Sequence, residues 1–212
     1  MAQSSFALYR APSPMASVGP YAQAPRLVPQ VRQSASSQAL SSAPQEGSVL
    51  VVLTTANADN NTVRSIIGCG VASWNFVAQT HVGGANNTSM AVWWGVVSAT
   101  PSIALRALCA GQDVGTAIVE LTGLTGALLT SGSASGGGTF TMRTSTPGGI
   151  LVLLGAGFGT LSPSPSGLTT VVNASPSRKV YIGVSPQPAN ISTQVSMSDT
   201  GSRSNAVALI LK

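Results

Sequence analysis

Ionised side chains are what this sequence has least of. Asp, Glu, Lys and Arg together make up 7% of its 212 residues, against roughly 25% in an ordinary soluble domain. A free monomer relies on charge to stay dispersed, so a chain this poor in it is expected to cover much of its surface with neighbours. Acids are scarcer than bases, five against ten, leaving a net charge of +5. The bases are scattered, with no Lys or Arg run and no basic stripe interleaved with aromatics. Sequence-independent binding to nucleic acid needs several phosphates neutralised together, so no nucleic-acid partner is expected. Weak attraction to an acidic surface is the most the excess supports.

Groups that carry chemistry are equally sparse. His81 is the one histidine, and Asp59, Asp113, Glu120 and Asp199 stand far from one another in sequence, so neither a metal site nor a cofactor is expected. No Gly-x-Ser-x-Gly elbow precedes a helix, which leaves a Ser-His-Asp arrangement without its usual setting. Paired carboxylates for glycoside hydrolysis would need an acidic mate for Glu120, which is read instead as accepting hydrogen bonds from a turn or pairing with an Arg such as Arg106. Gly155-Ala156-Gly157-Phe158-Gly159 has phosphate-loop spacing but runs into Ser162-Pro163-Ser164-Pro165 rather than a helix, so the N-terminus that would hold phosphate is missing. The expectation is a protein that is not an enzyme. Cys69 and Cys109 are the only cysteines, and the stretch from Met1 to Phe6 lacks a charged segment leading into an apolar one, so thiols are favoured over a disulfide. The Asn-x-Ser/Thr triplets at Asn60, Asn86, Asn87, Asn173 and Asn190 then reflect composition. The longest apolar run, Ile150 to Phe158, falls far short of the ~20 residues that span a bilayer, so no membrane partner is expected.

What the chain has in quantity is β-branched, small and turn-forming residues. From Gly47 onward it predicts strands at Ser48–Thr55, Val63–Cys69, Trp74–Thr80, Met90–Val97, Ser102–Cys109 and Gly115–Leu121. Further strands follow at Gly138–Arg143, Gly149–Gly155, Thr169–Val172, Lys179–Val184, Thr193–Ser198 and Asn205–Leu211. The stretches Asn57–Asn61, Gly83–Asn87, Ser131–Gly138 and Ser162–Gly167 read as turns or loops. A dozen short strands without a helix argue for an all-β fold, an antiparallel β-sandwich over residues 47–212. In the last strand Val207, Leu209 and Leu211 share one face, and Ala206, Ala208 and Ile210 the other. The strand Met90–Val97 is apolar on both faces, so it is central between two layers or lies in a subunit interface.

Residues 1–46 differ: six of the thirteen prolines fall here, among many Ser, Gln and Ala, with Gly19 the one glycine. Pro12, Pro14, Pro20, Pro25 and Pro29 forbid a long helix or a central strand, so the segment reads as an extended N-terminal arm. Phe6, Tyr9, Tyr21, Leu27 and Val28 are spaced like anchors, with Arg10, Arg26 and Arg32 between them. An arm of this kind can wrap a neighbouring subunit.

Ser73-Trp74-Asn75-Phe76-Val77-Ala78, the turn Gly83 to Asn87, Trp93-Trp94-Gly95 and Glu120-Leu121-Thr122-Gly123 follow one another in a familiar order. It resembles a β-sandwich domain of bacteriophage structural proteins and some bacterial surface proteins, with Ser73 in place of the usual Gly before the first Trp. The likeness continues through Gly148–Leu153 to Ala206–Lys212 and covers about residues 48–212. It implies a jelly-roll-like sandwich in a virion or surface assembly, and no catalytic residues. With the arm and the low charge, the expected function is a capsid decoration, or cement, protein on the exterior of a phage head. Such a protein would be a homo-oligomer, a trimer favoured, in contact with the major capsid protein or other virion subunits. Phe6, Tyr9, Arg10, Tyr21 and Arg26 are the expected arm anchors, and Trp93 or Trp94 the expected subunit contact. The alternative is a tail, baseplate or fibre component whose loops bind host glycan, with an aromatic such as Trp74 or Phe158 exposed at a loop tip. A glycan hydrolase on the same sandwich would need Glu120, Asp113 and Asp59 to converge.

Overall fold

A computed structural model describes residues 26–27, 37–40, 42–56, 63–83, 88–98, 100–109, 115–145, 149–157, 159–174, 179–187, 191–199 and 204–212, with backbone alone at 26–27, 37–39, 56, 63–64, 109, 115, 171–174, 187 and 191. Among these residues there are sixteen strands and no helix. The first eight are β1 (Arg26–Leu27), β2 (Ser37–Ala39), β3 (Val49–Ala56), β4 (Val63–Gly68), β5 (Asn75–Val82), β6 (Thr88–Val96), β7 (Ala104–Cys109) and β8 (Gly115–Leu121). The second eight are β9 (Leu128–Ser135), β10 (Thr139–Thr144), β11 (Gly149–Gly157), β12 (Ser162–Ser164), β13 (Thr169–Ala174), β14 (Lys179–Gln187), β15 (Ile191–Ser198) and β16 (Asn205–Leu211). All twelve strands expected from the sequence are present. Two expected loops are corrected: most of Ser131–Gly138 belongs to β9, and Ser162–Gly167 opens with β12. Their Ser, Gly and Pro content reads as turn, yet pairing with β16 and β15 decides the outcome.

The strands form four antiparallel sheets whose orders fall into two matching sets. The first half gives a five-stranded sheet β1-β8-β3-β6-β5 and a three-stranded sheet β2-β7-β4. The second half gives β9-β16-β11-β14-β13 and β10-β15-β12, the same orders with each strand advanced by eight. Strands 1-8-3-6 facing 2-7-4 follow jelly-roll order, while the fifth strand pairs with the sixth instead of the fourth, so the chain is two jelly-roll-like units in tandem, called jelly rolls below. The matching extends to register: Val51 of β3 lies between Trp94 and Val119, and Val152 of β11 lies between Val184 and Leu209. The sandwich also begins before Gly47, because β1, β2 and the buried Leu40 lie within the 1–46 segment.

The two five-stranded sheets stack face to face, with β5 against β9 and β1 against β13. Between them runs a central core of Val49, Val51, Leu53, Val92 and Val119 from one half and Val152, Leu154, Ile182, Val207 and Leu209 from the other. The opposite faces are covered by the three-stranded sheets. Leu50, Val52, Ala91, Trp93 and Ile118 pack on Ile66, Leu105 and Ala107, and Leu151, Leu153, Tyr181 and Ala208 pack on Met142, Val195 and Met197. The molecule therefore has four layers, and β3, β6, β11 and β16 are apolar on both faces because each lies between two others. Of the Trp pair, Trp93 points into the outer core and is 7% exposed, while Trp94 is half-buried against the central core.

Polar ties also cross between the halves. Asn205 Nδ2 donates to the Thr88 carbonyl at 3.0 Å in the interior. The connection between the jelly rolls buries Leu124 in the central core and bends at Gly126, whose φ of +78° is open to glycine at little cost. Backbone bonds between Ala127 and Lys212 (3.0 and 2.9 Å) then fasten its end to the C-terminal strand.

Because the central core belongs to both halves, they are expected to unfold together. Leu154→Ala, a fully buried deletion in the second half, should cost about 2–5 kcal/mol. All three Trp residues lie in the first half. Urea unfolding followed by Trp fluorescence should therefore shift with far-UV circular dichroism, and separate transitions would contradict a shared core.

Candidate functional site

Because three strands cover five, the outward side of β5 lies beyond the small sheet, and β5 is the edge of its own sheet. Register with β6 places Phe76 opposite Trp93, Gln79 opposite Ala91 and His81 opposite Ser89, so these residues form one outward row. A bulge between Phe76 and Ala78 turns both Val77 and Ala78 onto the central core. Phe76 is 52% exposed, and its ring meets Trp93 in an edge-to-face contact with centroids 4.9 Å apart and planes at 60°. Trp74 packs on the outer core beside it, over Gly95, where a Cβ would come within 3.4 Å of the indole Cε3. The indole nitrogens of Trp74, Trp93 and Trp94 are buried and make no hydrogen bond among the described residues. His81 Nδ1 lies 3.0 Å from Ser89 Oγ, and Asn75 Nδ2 reaches the Trp94 carbonyl at 3.5 Å.

A Ser-His contact alone is not a catalytic site. Ser89 is buried and the described carboxylates lie elsewhere: Glu46 in the turn before β3, Glu120 in β8 and Asp199 after β15. Asp59 and Asp113 lie outside the described residues. Among the described residues no three His, Cys, Asp or Glu side chains come together in a way that could hold a metal.

Glu120 is fully buried, and its Oε1 accepts the Gln45 N–H at 2.6 Å, which ties the turn ahead of β3 to β8. The turn is thus a partner of this carboxylate, as the sequence allows, while Arg106 is exposed on β7 in the other sheet. In the glycine-rich stretch the Gly159 N–H points to Asp199 Oδ2 at 3.5 Å, and Gly157 leaves room for that same oxygen. Here a carboxylate of the chain itself occupies the amide a phosphate would need.

The outer faces of the two small sheets form a second surface, and they differ. On β4 and β7 the outward side chains among the described residues are Ile67, 50% exposed, with Ser65, Ala104, Leu108 and Arg106. On β10, β12 and β15 the equivalent face carries Thr139, Thr141, Arg143, Ser162, Ser164, Ser192, Gln194 and Ser196, with no large apolar side chain.

Of the expected anchors, Phe6, Tyr9, Arg10 and Tyr21 lie outside the described residues, as does Phe158. The Arg26 backbone lies opposite Glu120 in the ladder between β1 and β8. Trp93 is buried rather than presented, and Trp74 is half-buried. Phe76 and Ile67 are the most exposed of the large apolar residues described, ahead of Ile103, Val96 and Leu128, and sequence reading passes over them. The one available signal is the pair Trp74 and Phe76, two aromatics at strand spacing on one face. Neither the family models nor the curated proteins nor the solved structures compared with this chain match it.

Cys69, which follows β4 at φ +56°, is a buried free thiol whose pKa is pushed up to about 12 by desolvation. Its folded pKa lies above the unfolded value, so its contribution to stability is whole below the unfolded value and is lost as pH rises towards the folded one. Stability should decline between about pH 9 and 12. At pH 8 Cys69 should resist Ellman's reagent until urea unfolds the chain; rapid reaction of the Cys69 thiol in the folded protein would contradict its burial.

Proposed function

We propose that this chain is a structural virion protein, a capsid decoration subunit that attaches through the outer sheet of its first jelly roll and through its Pro-rich leading segment. The observation that supports this reading is the inequality of the two outer sheets. They occupy equivalent places in matching jelly rolls, so packing alone asks the same of both. Among the described side chains, one nevertheless presents Ile67, Ala104 and Leu108 with Ser65 and Arg106, and the other presents hydroxyls and an amide with Arg143 and no large apolar residue. That is the distribution of a plate with one side docked and one side in water.

Size argues for a second contact. Two six-residue strands and one of three residues cover about 240 Å² by strand rise and spacing, well short of the ~800 Å² per partner of a stable interface. Linking it to a tether makes the second binding event intramolecular and multiplies the two weak contacts. The leading segment, with Phe6, Tyr9, Arg10 and Tyr21 as anchors, supplies that tether to neighbouring subunits. Many copies acting this way would oppose internal pressure by summed interface area.

Ile67→Asp and deletion of residues 1–25 should each weaken attachment to undecorated phage heads by about tenfold or more, read by co-sedimentation. Thr141→Asp, on the opposite face, should leave attachment unchanged. Attachment indifferent to both changes, or as sensitive to Thr141→Asp as to Ile67→Asp, would overturn the reading.

A further inference from the structure

The two jelly rolls also differ beside β5, where the second half serves as an internal comparison. The aromatic on the outward side of β14, the counterpart of β6, is Tyr181, which is 3% exposed and lies flat over Gly183. A ring there completes the outer core without reaching the surface. In the first half Trp93 does the same, and Phe76 is then added outside it, half in water and held by the edge-to-face contact. The outer core does not need this second ring.

From the aromatic contact at Phe76, the polar row beside it and the absence of Asp, Glu, Lys and Arg from β5 and β6, we infer that the outward side of β5, with Phe76, Gln79 and His81 backed by Trp93 and flanked by Trp74, is a binding site for a neutral oligosaccharide. The chemistry of the row determines the class of ligand. An exposed ring supported from behind offers a rigid apolar face to the C–H side of a sugar. Gln79 brings an amide that both donates and accepts. Neither β5 nor β6 contains an Asp, Glu, Lys or Arg, so an anionic or cationic ligand would find no counter-charge on either strand. From Phe76 to His81 the strand runs about 16 Å, room for roughly two or three sugar rings. An extended peptide added to the free edge of β5 fits less well, because the bulge at Val77 interrupts the even spacing that a new strand pairs with. This site does not depend on attachment to a capsid.

The test uses the full chain against maltotriose, cellotriose, chitotriose and mannotriose, with heparin fragments and an unstructured peptide as charged and polypeptide probes, by calorimetry and by Trp fluorescence. At least one neutral trisaccharide should bind, and Phe76→Ala should weaken it by about tenfold or more. Phe76→Trp should keep affinity within about threefold, which separates loss of the ring from loss of folding, and unfolding midpoints of both variants check the fold directly. Gln79→Ala, which leaves the aromatic contact untouched, should also weaken binding, and Ile67→Asp should not. No response to any neutral trisaccharide, binding that survives Phe76→Ala, or preference for heparin or the peptide would each overturn the assignment.

Discussion

Everything in this molecule depends on the apolar layer shared by its two large sheets. Val51, Leu53, Val92 and Val119 meet Val152, Leu154, Ile182 and Leu209 there, all fully buried. A sheet whose inner face is committed this way still has an outer face to cover, and the small sheets exist to cover it. Four layers follow, and with them strands that are apolar on both sides. The low content of ionised residues then has two sources rather than one. A surface suited to neighbours is the source expected from composition, but part reflects four interior strands with no solvent face on which to place a charge.

Strand positions were legible because each strand announces itself locally. Val49–Leu53, Met90–Val97 and Ala206–Leu211 are too rich in branched and apolar residues to be anything else, and Gly, Asn and Pro mark most of the boundaries. The strands that escaped notice lack that signature. β9 runs Leu-Leu-Thr-Ser-Gly-Ser-Ala-Ser and β12 is Ser-Pro-Ser, so only their pairing makes them strands. β1 and β2 hide among prolines for the same reason: two or three residues laid along β8 and β7 need no propensity of their own. The duplication was illegible for another cause. Matching halves share burial pattern rather than residues, and Gly47-Ser48-Val49-Leu50-Val51-Val52-Leu53 against Gly148-Gly149-Ile150-Leu151-Val152-Leu153-Leu154 is the one stretch where the likeness shows in letters.

Surface features were harder still, because exposure is set by topology. Alternation places Trp93 and Trp94 on opposite faces, but nothing local says which face is closed by a third layer. Phe76 has the same alternating context as the half-buried Trp74 and the buried Trp93. It is exposed only because β5 pairs in the plane of the large sheet and so lies past the reach of β4. Glu120 shows the reverse. A lone acid in an apolar strand looks anomalous in sequence, and becomes ordinary once the Gln45 amide is found against it.

Two copies of one scaffold inside a single chain allow a form of inference that a single domain does not. A fold imposes its requirements on both copies alike, so residues that serve packing should recur in kind, as Val152 repeats Val51 and Ile182 repeats Val92. Where the copies part company, packing has stopped dictating the choice. They part at Ile67 and Arg106 against Ser164 and Ser196, and at Phe76, whose exposed counterpart by register is Thr170. Fold alone says little about activity, whereas a difference between equivalent positions removes the fold from consideration and leaves the surroundings of the molecule as the cause. On that reasoning the second jelly roll, whose outer face is mostly hydroxyls, completes the shared core, and the proposed contacts fall on the first.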